Sequence, residues 1–299
     1  MIYDIRHVTN YSYEAPVGYS LCALRLRPTS RPGQRVLDVQ LEIDPPPARR
    51  IRRNCFFGNS FEIVRIEAEH RELTVMATAR IAVARPVAPA ATPVWEDVRQ
   101  QAFSVADLSR ESPAHFIYAS RVVTLDEPVV DYARKSFAPN RQALDGAVDL
   151  MERIWNDFDY DPKATLVSTP LGEAFAKRRG VCQDFAHIMI AGLRGLGLPA
   201  RYVSGYLRTV PPAGKERLEG ADATHAWVAV WCGPNDGWVG LDPTNKMLVG
   251  DDHIVLAEGR DYADVSPIDG VILSSGGQDV DVAVDVIPVT SEDAPPTFG

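Results

Sequence analysis

The sequence predicts an α+β protein, with an antiparallel, β-rich N-terminal domain followed by a core in which a helix packs on an antiparallel sheet. Three observations support this prediction. Residues 1–85 contain short extended runs separated by turn residues, residues 127–196 show apolar side chains at helical spacing, and residues 222–242 alternate as a hairpin does. With 299 residues, 45% of them hydrophobic, the chain is long enough to bury two domain cores.

The N-terminal domain, residues 1–85, is predicted from five extended runs at 2–13, 20–27, 35–43, 60–67 and 73–83. Prolines and glycines between these runs mark turns. In the third run apolar and polar residues alternate, which is typical of a sheet with one face in water. The arginine cluster Arg49, Arg50, Arg52 and Arg53 can bind an anion, but we interpret it as a solvated loop or strand edge.

Residues 86–150 are predicted to be a linker followed by a helical segment. Proline recurs at positions 86, 89 and 93, which favours extended backbone, and helical periodicity follows over 127–137 and 141–158. Residues 151–290 form the predicted second domain, with a short helix at 171–177 and a last strand at 280–289. Residues 291–299 are predicted to be a disordered tail.

The second domain centres on Cys182, which the pattern places in the first turn of a helix. Apolar residues recur three and four positions apart from Phe185 to Leu196, and Gly197 and Pro199 end the helix. At a helix N-terminus the backbone N–H groups are unpaired and the macrodipole is positive. Such an environment favours a thiolate over a thiol and can hold an oxyanion.

A candidate base and a candidate carboxylate lie downstream on a predicted hairpin. Residues 222–231 and 238–242 are typical of two strands, and the turn between them contains Gly-Pro. If Cys232 pairs with Gly237, then Trp227 faces Asp242, and His225 becomes the diagonal neighbour of Asp242 on the same face. Diagonal neighbours lie roughly 7–8 Å apart, within reach of long or aromatic side chains.

Cys182, His225 and Asp242 therefore match a nucleophile, its base and the group that orients the base. Taken singly, each also has a structural interpretation: a packed thiol, a core histidine beside tryptophan, and an aspartate that forms a turn before proline. Sequence alone does not bring the three together in space, so both interpretations stay open at this point.

Metal binding is expected at neither of the two places where the residue types allow it. One conceivable zinc set consists of Cys182, His187, His225 and Cys232. Its cysteines are isolated rather than closely paired, and His187 lies five positions from Cys182, off its helical face. The run Asp251-Asp252-His253 has no further histidine or cysteine nearby at ligand spacing. We expect no metal and no cofactor.

Three blocks of the sequence resemble the core of the transglutaminase-like superfamily. Residues 179–187 with 196–206 are similar to the nucleophile block, and residues 222–227 and 240–245 are similar to the second and third blocks. The family order of Cys, His and Asp is kept, with spacings of 43 and 17 positions. The start of the chain, residues 57–59 and residues 259–267 are similar to bacterial members with a β-rich N-terminal domain.

This resemblance implies that residues 151–290 form a papain-like/transglutaminase-like catalytic domain. It also implies that Cys182 is the nucleophile, His225 the base and Asp242 the orienting carboxylate of a thiol-dependent acyl-transfer enzyme. The substrate would be a protein or peptide, and the intermediate a thioester. An oxyanion would lie against the Cys182 N–H and a second donor, for which the candidates are Tyr160, Gln183 and Trp227.

Within this chemistry we favour a cysteine peptidase or amidase over a protein-glutamine transamidase. Animal transglutaminases carry an aromatic residue after the nucleophile that helps to shield the thioester, and this chain has Gln183 there. The chain also lacks room for their trailing β-sandwich domains and shows no calcium-loop signature. A catalytically silent binding module and, more weakly, a metal-dependent hydrolase remain as alternatives.

Composition narrows the choice of partners and compartment. The formal net charge of −9 argues against nonspecific nucleic-acid binding. Since no apolar run has the length of a signal-peptide core or a membrane span, we expect a cytoplasmic protein that does not bind membranes. Four cysteines in a chain of this length do not indicate a disulfide framework. The sequence specifies no oligomeric state.

Overall fold

The computed structural model describes residues 1–209 and 222–289. The predicted tail, 291–299, lies outside the described residues. Six strands precede residue 85, namely β1 (Ile2–Val17), β2 (Tyr19–Arg27), β3 (Gln34–Asp44), β4 (Arg49–Asn54), β5 (Ser60–Ile66) and β6 (His70–Val83). The five predicted runs correspond to five of these strands. The sixth, β4, is the arginine-rich segment, and it forms the edge of its sheet.

The middle of the chain is mainly helical. The helices are α1 (Trp95–Phe103), α2 (Glu127–Arg134), α3 (Ala143–Asp157), α4 (Leu171–Lys177), α5 (Cys182–Gly195) and α6 (Tyr262–Val265), with one 3-10 turn at Pro113–Phe116. The predicted helices over 127–137, 141–158 and 171–177 correspond to α2, α3 and α4. No helix in the described part of the chain is long and apolar enough to cross a membrane.

A five-stranded antiparallel sheet supports helix α5. Its strands are β9 (Ala200–Leu207), β10 (Ala223–Trp231), β11 (Trp238–Asp242), β12 (Met247–Leu248) and β13 (His253–Gly259), in the order β12-β11-β10-β9-β13. The short strands β7 (Asp159–Tyr160) and β8 (Arg179–Gly180) pair with each other just before α5. The observed combination of a β-rich N-terminal region with a helix on a sheet confirms the α+β prediction.

The last two strands return to the N-terminal region. Strand β14 (Ile268–Leu273) pairs with β2, and β15 (Gln278–Pro288) pairs with β1, both antiparallel. The two resulting sheets have the orders β15-β1-β6-β3 and β14-β2-β5-β4. The segment 151–290 therefore contains, beside the sheet that carries α5, two strands that complete the N-terminal sheets. β15 confirms the strand predicted over 280–289.

The inward side chains of the two N-terminal sheets share one core, which includes Tyr3, Leu24 and Ile66. Tyr206 and Ile254, from the sheet under α5, belong to the same core and join the two regions. Full burial of each large aliphatic side chain stabilises the fold by about 1.5–3 kcal/mol.

Helix α5 is buried because its sequence is apolar nearly all round. Phe185, Ile188 and Leu193 are at most 2% exposed and pack between the sheet and the other helices. At Gly192 an added Cβ would lie 2.6 Å from the Cβ of Ala133. Glycine at this position therefore allows α2 to approach α5 closely, and the packed helices hold the start of α5 in a fixed position.

Candidate active site

Cys182 is the first residue of α5, as the sequence predicts, and its thiol is half-buried. The turn before it is fixed by Asp184, whose Oδ2 accepts hydrogen bonds from the Val181 N–H at 2.8 Å and from the Thr165 hydroxyl at 2.6 Å. Because the first N–H groups of a helix have no partners within the helix, the thiol lies where an anion is stabilised.

The hairpin has the register that the sequence predicts. Trp231 pairs with Trp238, Val228 pairs with Leu241, and the Cys232 N–H donates to the Gly237 carbonyl at 2.8 Å. Because side chains alternate along a strand, this register places His225 and Asp242 on the same face of the sheet.

On that face His225 and Asp242 form a hydrogen bond. His225 Nε2 lies 2.8 Å from Asp242 Oδ2, and both residues are buried, Asp242 completely. The Cys182 side chain interacts with the same imidazole ring. Since Nε2 is directed to the carboxylate, Nδ1 is the nitrogen that remains for the thiol. The structure thus brings Cys182, His225 and Asp242 together.

The electrostatics of the three groups favour a charged ring. Burial alone would lower the pKa of His225, but the contacts with Asp242 and Cys182 outweigh burial and raise this pKa to about 10. Burial also disfavours the charged form of Asp242, yet hydrogen bonds from its histidine neighbours hold the pKa of this carboxyl well below its usual range. A carboxylate and an imidazolium are therefore the stable forms at neutral pH.

Asp242 accepts five hydrogen bonds. Oδ2 receives the side chains of His225, His253 and Asn245 at 2.8, 3.2 and 2.7 Å. Oδ1 receives the backbone N–H groups of Thr244 and Asn245 at 3.0 and 3.2 Å. Such a set compensates the cost of burying the charge and fixes the carboxylate in one orientation.

Two members of this set, His253 and Asn245, are missed by sequence reasoning. The His253 ring is buried, and its Nδ1 accepts the Gly250 N–H at 3.3 Å, so Nε2 carries the proton donated to Asp242. Asn245 follows Asp242 in the turn, and its Nδ2 also lies 3.3 Å from His225 Nε2. The short spacing between Asp242 and Asn245 is a signal in the sequence; for His253 we find none.

A glycine on β9 makes room for the rings beside His225. Gly205 pairs with His225 in the sheet, and an added Cβ would overlap the Ile254 carbonyl and lie 2.5 Å from the Trp227 ring. Without that Cβ, the Trp227 ring packs with its centroid 6.1 Å from that of His225 and 5.2 Å from that of His253. Trp227 therefore helps to fix both imidazoles.

The three residues predicted as oxyanion donors occupy different surroundings. Tyr160 is 59% exposed and lies near Cys182, and the pKa of its phenol is raised by burial and by the cysteine. Gln183 donates its Nε2 to the Val167 carbonyl at 3.3 Å. Trp227 is buried against His225. A role as second oxyanion donor stays a prediction for each of them.

Several members of the conceivable metal sets have hydrogen-bond partners elsewhere in the described structure. His187 Nε2 accepts the Tyr262 N–H at 3.2 Å, and burial lowers the pKa of His187 to about 4. Asp251 binds the Arg85 N–H, while Asp252 binds Tyr3 and Arg208.

One cluster of the described residues has metal-like spacing. The ligand atoms of His225, Asp242 and His253 lie within 4.8 Å of one another. Hydrogen bonds between Asp242 and the two rings account for this spacing.

Comparisons with known proteins identify the family of this chain. The family model described as "Bacterial transglutaminase-like N-terminal region" matches residues 3–82, and the model "Transglutaminase-like superfamily" matches residues 130–243. The protein Rv2569c of Mycobacterium tuberculosis is 40% identical over 296 residues, which cover 96% of this chain and 92% of that protein. The chain belongs to the transglutaminase-like superfamily. This confirms the predicted resemblance, and membership in the superfamily supports a thiol enzyme in general.

One solved structure and one further relative are also similar to this chain. A solved structure from Cytophaga hutchinsonii, described as a "putative cysteine protease", superposes with a TM-score of 0.73 at 22% identity, covering 100% of this chain and 94% of that one, and shows the same fold. A protein-glutamine gamma-glutamyltransferase of Pseudomonas aeruginosa is 35% identical over 115 residues, which are 36% of this chain and 17% of that protein.

Proposed function

We propose that this transglutaminase-like protein is a cysteine peptidase or amidase with the triad Cys182, His225 and Asp242. The observation that carries the proposal is the His225 ring, which is hydrogen-bonded to a fully buried Asp242 on one side and interacts with Cys182 on the other. A thiol, a base and a group that orients the base are what covalent acyl transfer requires.

In the proposed reaction the Cys182 thiolate attacks an amide carbonyl and a carbon–sulfur bond forms. The oxyanion is held at the N-terminus of α5. The carbon–nitrogen bond then breaks, and the His225 imidazolium gives its proton to the leaving amine. Water attacks the thioester, His225 takes up the proton of this water, and the free thiolate returns. Asp242, with His253 and Asn245 as positioning residues, keeps the ring in the required tautomer.

The exposed side chains around Cys182 support hydrolysis as the outcome. The residue after the nucleophile, Gln183, is bonded to the Val167 carbonyl and does not provide an aromatic cover for the thiol. Three side chains of the segment that precedes Cys182 and contacts Gln183 are exposed: Tyr160 by 59%, Leu166 by 75% and Val167 by 65%. A thioester formed in these open surroundings would meet water readily. The exposed apolar side chains are suited to contact a protein or peptide substrate.

Transamidation is the second candidate, because the matched relative from Pseudomonas aeruginosa is named for that reaction. The triad itself serves both outcomes, since a primary amine can replace water in the attack on the thioester. The cytoplasmic location and the nature of the substrate remain predictions.

Substrate turnover tests the proposal. The full chain is incubated with a fluorogenic peptide amide and with a γ-glutamyl amide, each with and without a primary amine, and products are identified by mass spectrometry. We expect hydrolysis that exceeds amine incorporation, is abolished in Cys182→Ala and is unchanged by a chelator. Incorporation that outruns hydrolysis would replace the peptidase with a transamidase. A metal requirement would indicate a metal-dependent hydrolase. An acyl–enzyme that never forms with any substrate would indicate a binding module.

A further inference from the structure

A cavity of about 560 Å³ lies between the N-terminal region and the sheet face that points away from α5. Arg31 and Arg85 line it from the N-terminal side, and Arg201, Trp227 and Trp238 line it from the sheet. Its volume is in the range of pockets that bind small organic ligands, and such pockets are common between domains. Cys182, His225 and Asp242 do not line it.

Three guanidinium groups in this cavity retain a buried donor without a partner. The Nε–H groups of Arg31, Arg85 and Arg201 are inaccessible to solvent and form no hydrogen bond with any described residue. Arg201 as a whole is only 4% exposed. An unpaired buried donor on a charged group costs more than about 1–3 kcal/mol. Because these Nε–H groups are closed to solvent, a ligand in the cavity would be bound by the outer Nη groups of the same side chains.

Arg85 differs from the other two arginines in its partners within the described part of the chain. There its side chain donates to neutral oxygens, at 3.5 Å to Gln34 Oε1 and at 3.1 Å to the His253 carbonyl. Arg31 and Arg201, by contrast, share the Glu258 carboxylate at 3.2 and 2.9 Å. Among the described residues Arg85 therefore has no directly bonded carboxylate on its side chain, although the charges of Glu258 and Asp251 act on it from nearby, and its guanidinium is the one most open to an incoming anion.

The balance of charges sets the charge of the ligand. Four arginines, including Arg110, and the three acids Glu111, Asp236 and Glu258 line the cavity. The formal surplus is one positive charge, which one carboxylate balances and a dianion would exceed. The guanidinium of Arg201 stacks on Trp238, 3.7 Å from the ring centroid. The indole rings leave an apolar wall for the body of the ligand.

We propose that this cavity binds a monocarboxylate with an apolar or aromatic body, held by Arg85 with Arg31 and Arg201. The source is either a free organic acid or the terminal carboxylate of a peptide that ends in an apolar residue. Binding in this cavity does not require chemistry at Cys182. Trp227 separates the cavity from His253, so an occupant contacts the Trp227 ring, which packs against the histidine that supports the triad.

Calorimetric titration of the full chain tests the proposal. The probes are 3-phenylpropionate, its uncharged amide and inorganic phosphate, with Cys182 alkylated so that no turnover contributes. We expect the acid to bind at least about tenfold more tightly than the amide, because charged hydrogen bonds are lost with the amide. Equal affinity of acid and amide, or tighter binding of phosphate, would overturn the assignment. A short peptide ending in phenylalanine, with a free or an amidated terminus, distinguishes the two sources.

Variants locate the site. Arg85→Gln should weaken 3-phenylpropionate binding about tenfold or more, whereas Arg49→Gln, an exposed arginine on β4 outside the cavity, should leave the affinity unchanged. Equal losses in both variants would show a general effect of charge and refute the site. If Arg85→Gln does not fold, Arg31→Gln provides the same comparison. The acid–amide difference in the wild-type chain needs no variant.

Discussion

Replacement of Asp242 by asparagine should disable the imidazole while keeping the shape of the buried side chain. Oδ2 accepts three side-chain donors and Oδ1 accepts two backbone N–H groups. In either orientation the amide introduced at this position would direct its NH₂ group at N–H donors. The ring of His225 would lose both its charge partner and its fixed orientation.

The size of the effect follows from the pKa of His225. Against the effect of burial, Asp242 and Cys182 raise this pKa from 6.5 to about 10. Asp242 provides the first of the contacts that raise it, a hydrogen bond to a charged group, and such a bond contributes about 1.5–3 kcal/mol. The equilibrium constant for forming the thiolate–imidazolium pair should therefore fall about 10- to 150-fold in Asp242→Asn.

The assay is the rate of Cys182 alkylation by iodoacetamide at neutral pH, followed by mass spectrometry of the peptide that contains Cys182. Asp159→Asn is the matched control, since Asp159 is an exposed acid that pairs with Arg179 across the β7–β8 strand pair. We expect slower alkylation in Asp242→Asn, by up to the stated factor, and no change in the control. A folded Asp242→Asn protein that is alkylated at the wild-type rate would refute the reasoning.

Three further predictions concern packing and pH. Gly205→Ala should destabilise the protein by about 1–3 kcal/mol in denaturant unfolding, because its Cβ overlaps the neighbouring strand, whereas Gly18→Ala, which has open space, should not. Burial lowers the pKa of His187 to about 4, so the free energy of unfolding should fall by up to roughly 3 kcal/mol as the pH drops from 6.5 to 4. His187→Gln should flatten this pH dependence, whereas the control His70→Gln should not. Amide hydrolysis should decline above about pH 10, where His225 loses the proton that the leaving amine needs.

The local parts of the site could be predicted from the sequence. The start of α5 at Cys182 follows from apolar spacing, and the His225–Asp242 pair follows from alternation along a hairpin whose turn fixes the register at Cys232 and Gly237. These features depend on residues near one another in the chain, where backbone periodicity decides which side chains share a face.

The remaining features depend on distant parts of the chain. His253 reaches Asp242 from β13, at the opposite edge of the sheet from β12, because the chain crosses the end of the sheet between these two strands. The cavity that we propose binds a carboxylate is lined by Arg31, Arg85 and Arg201, which come from separate segments. The pairing of β14 and β15 with β2 and β1 joins the two ends of the chain. No local pattern encodes such contacts.

One β-strand shows how a local pattern can also mislead. Alternation in residues 35–43 predicts that Leu37 shares the buried face with Leu41. The structure has a bulge between Val36 and Asp38, and Leu37 is 39% exposed while Leu41 is 5% exposed. The extra residue of a bulge shifts the phase of the alternation, and only the pairing with β6 determines where it falls.

In the proposed mechanism His225 activates Cys182. The pH dependence of Cys182 alkylation, compared between the wild type and His225→Ala, measures this activation. We predict that the wild-type rate is already near its plateau at neutral pH, because a charged ring stabilises the thiolate, and that His225→Ala requires alkaline pH, as an ordinary thiol does. Superimposable profiles in the two proteins would contradict the claim and would leave the fold without the proposed chemistry.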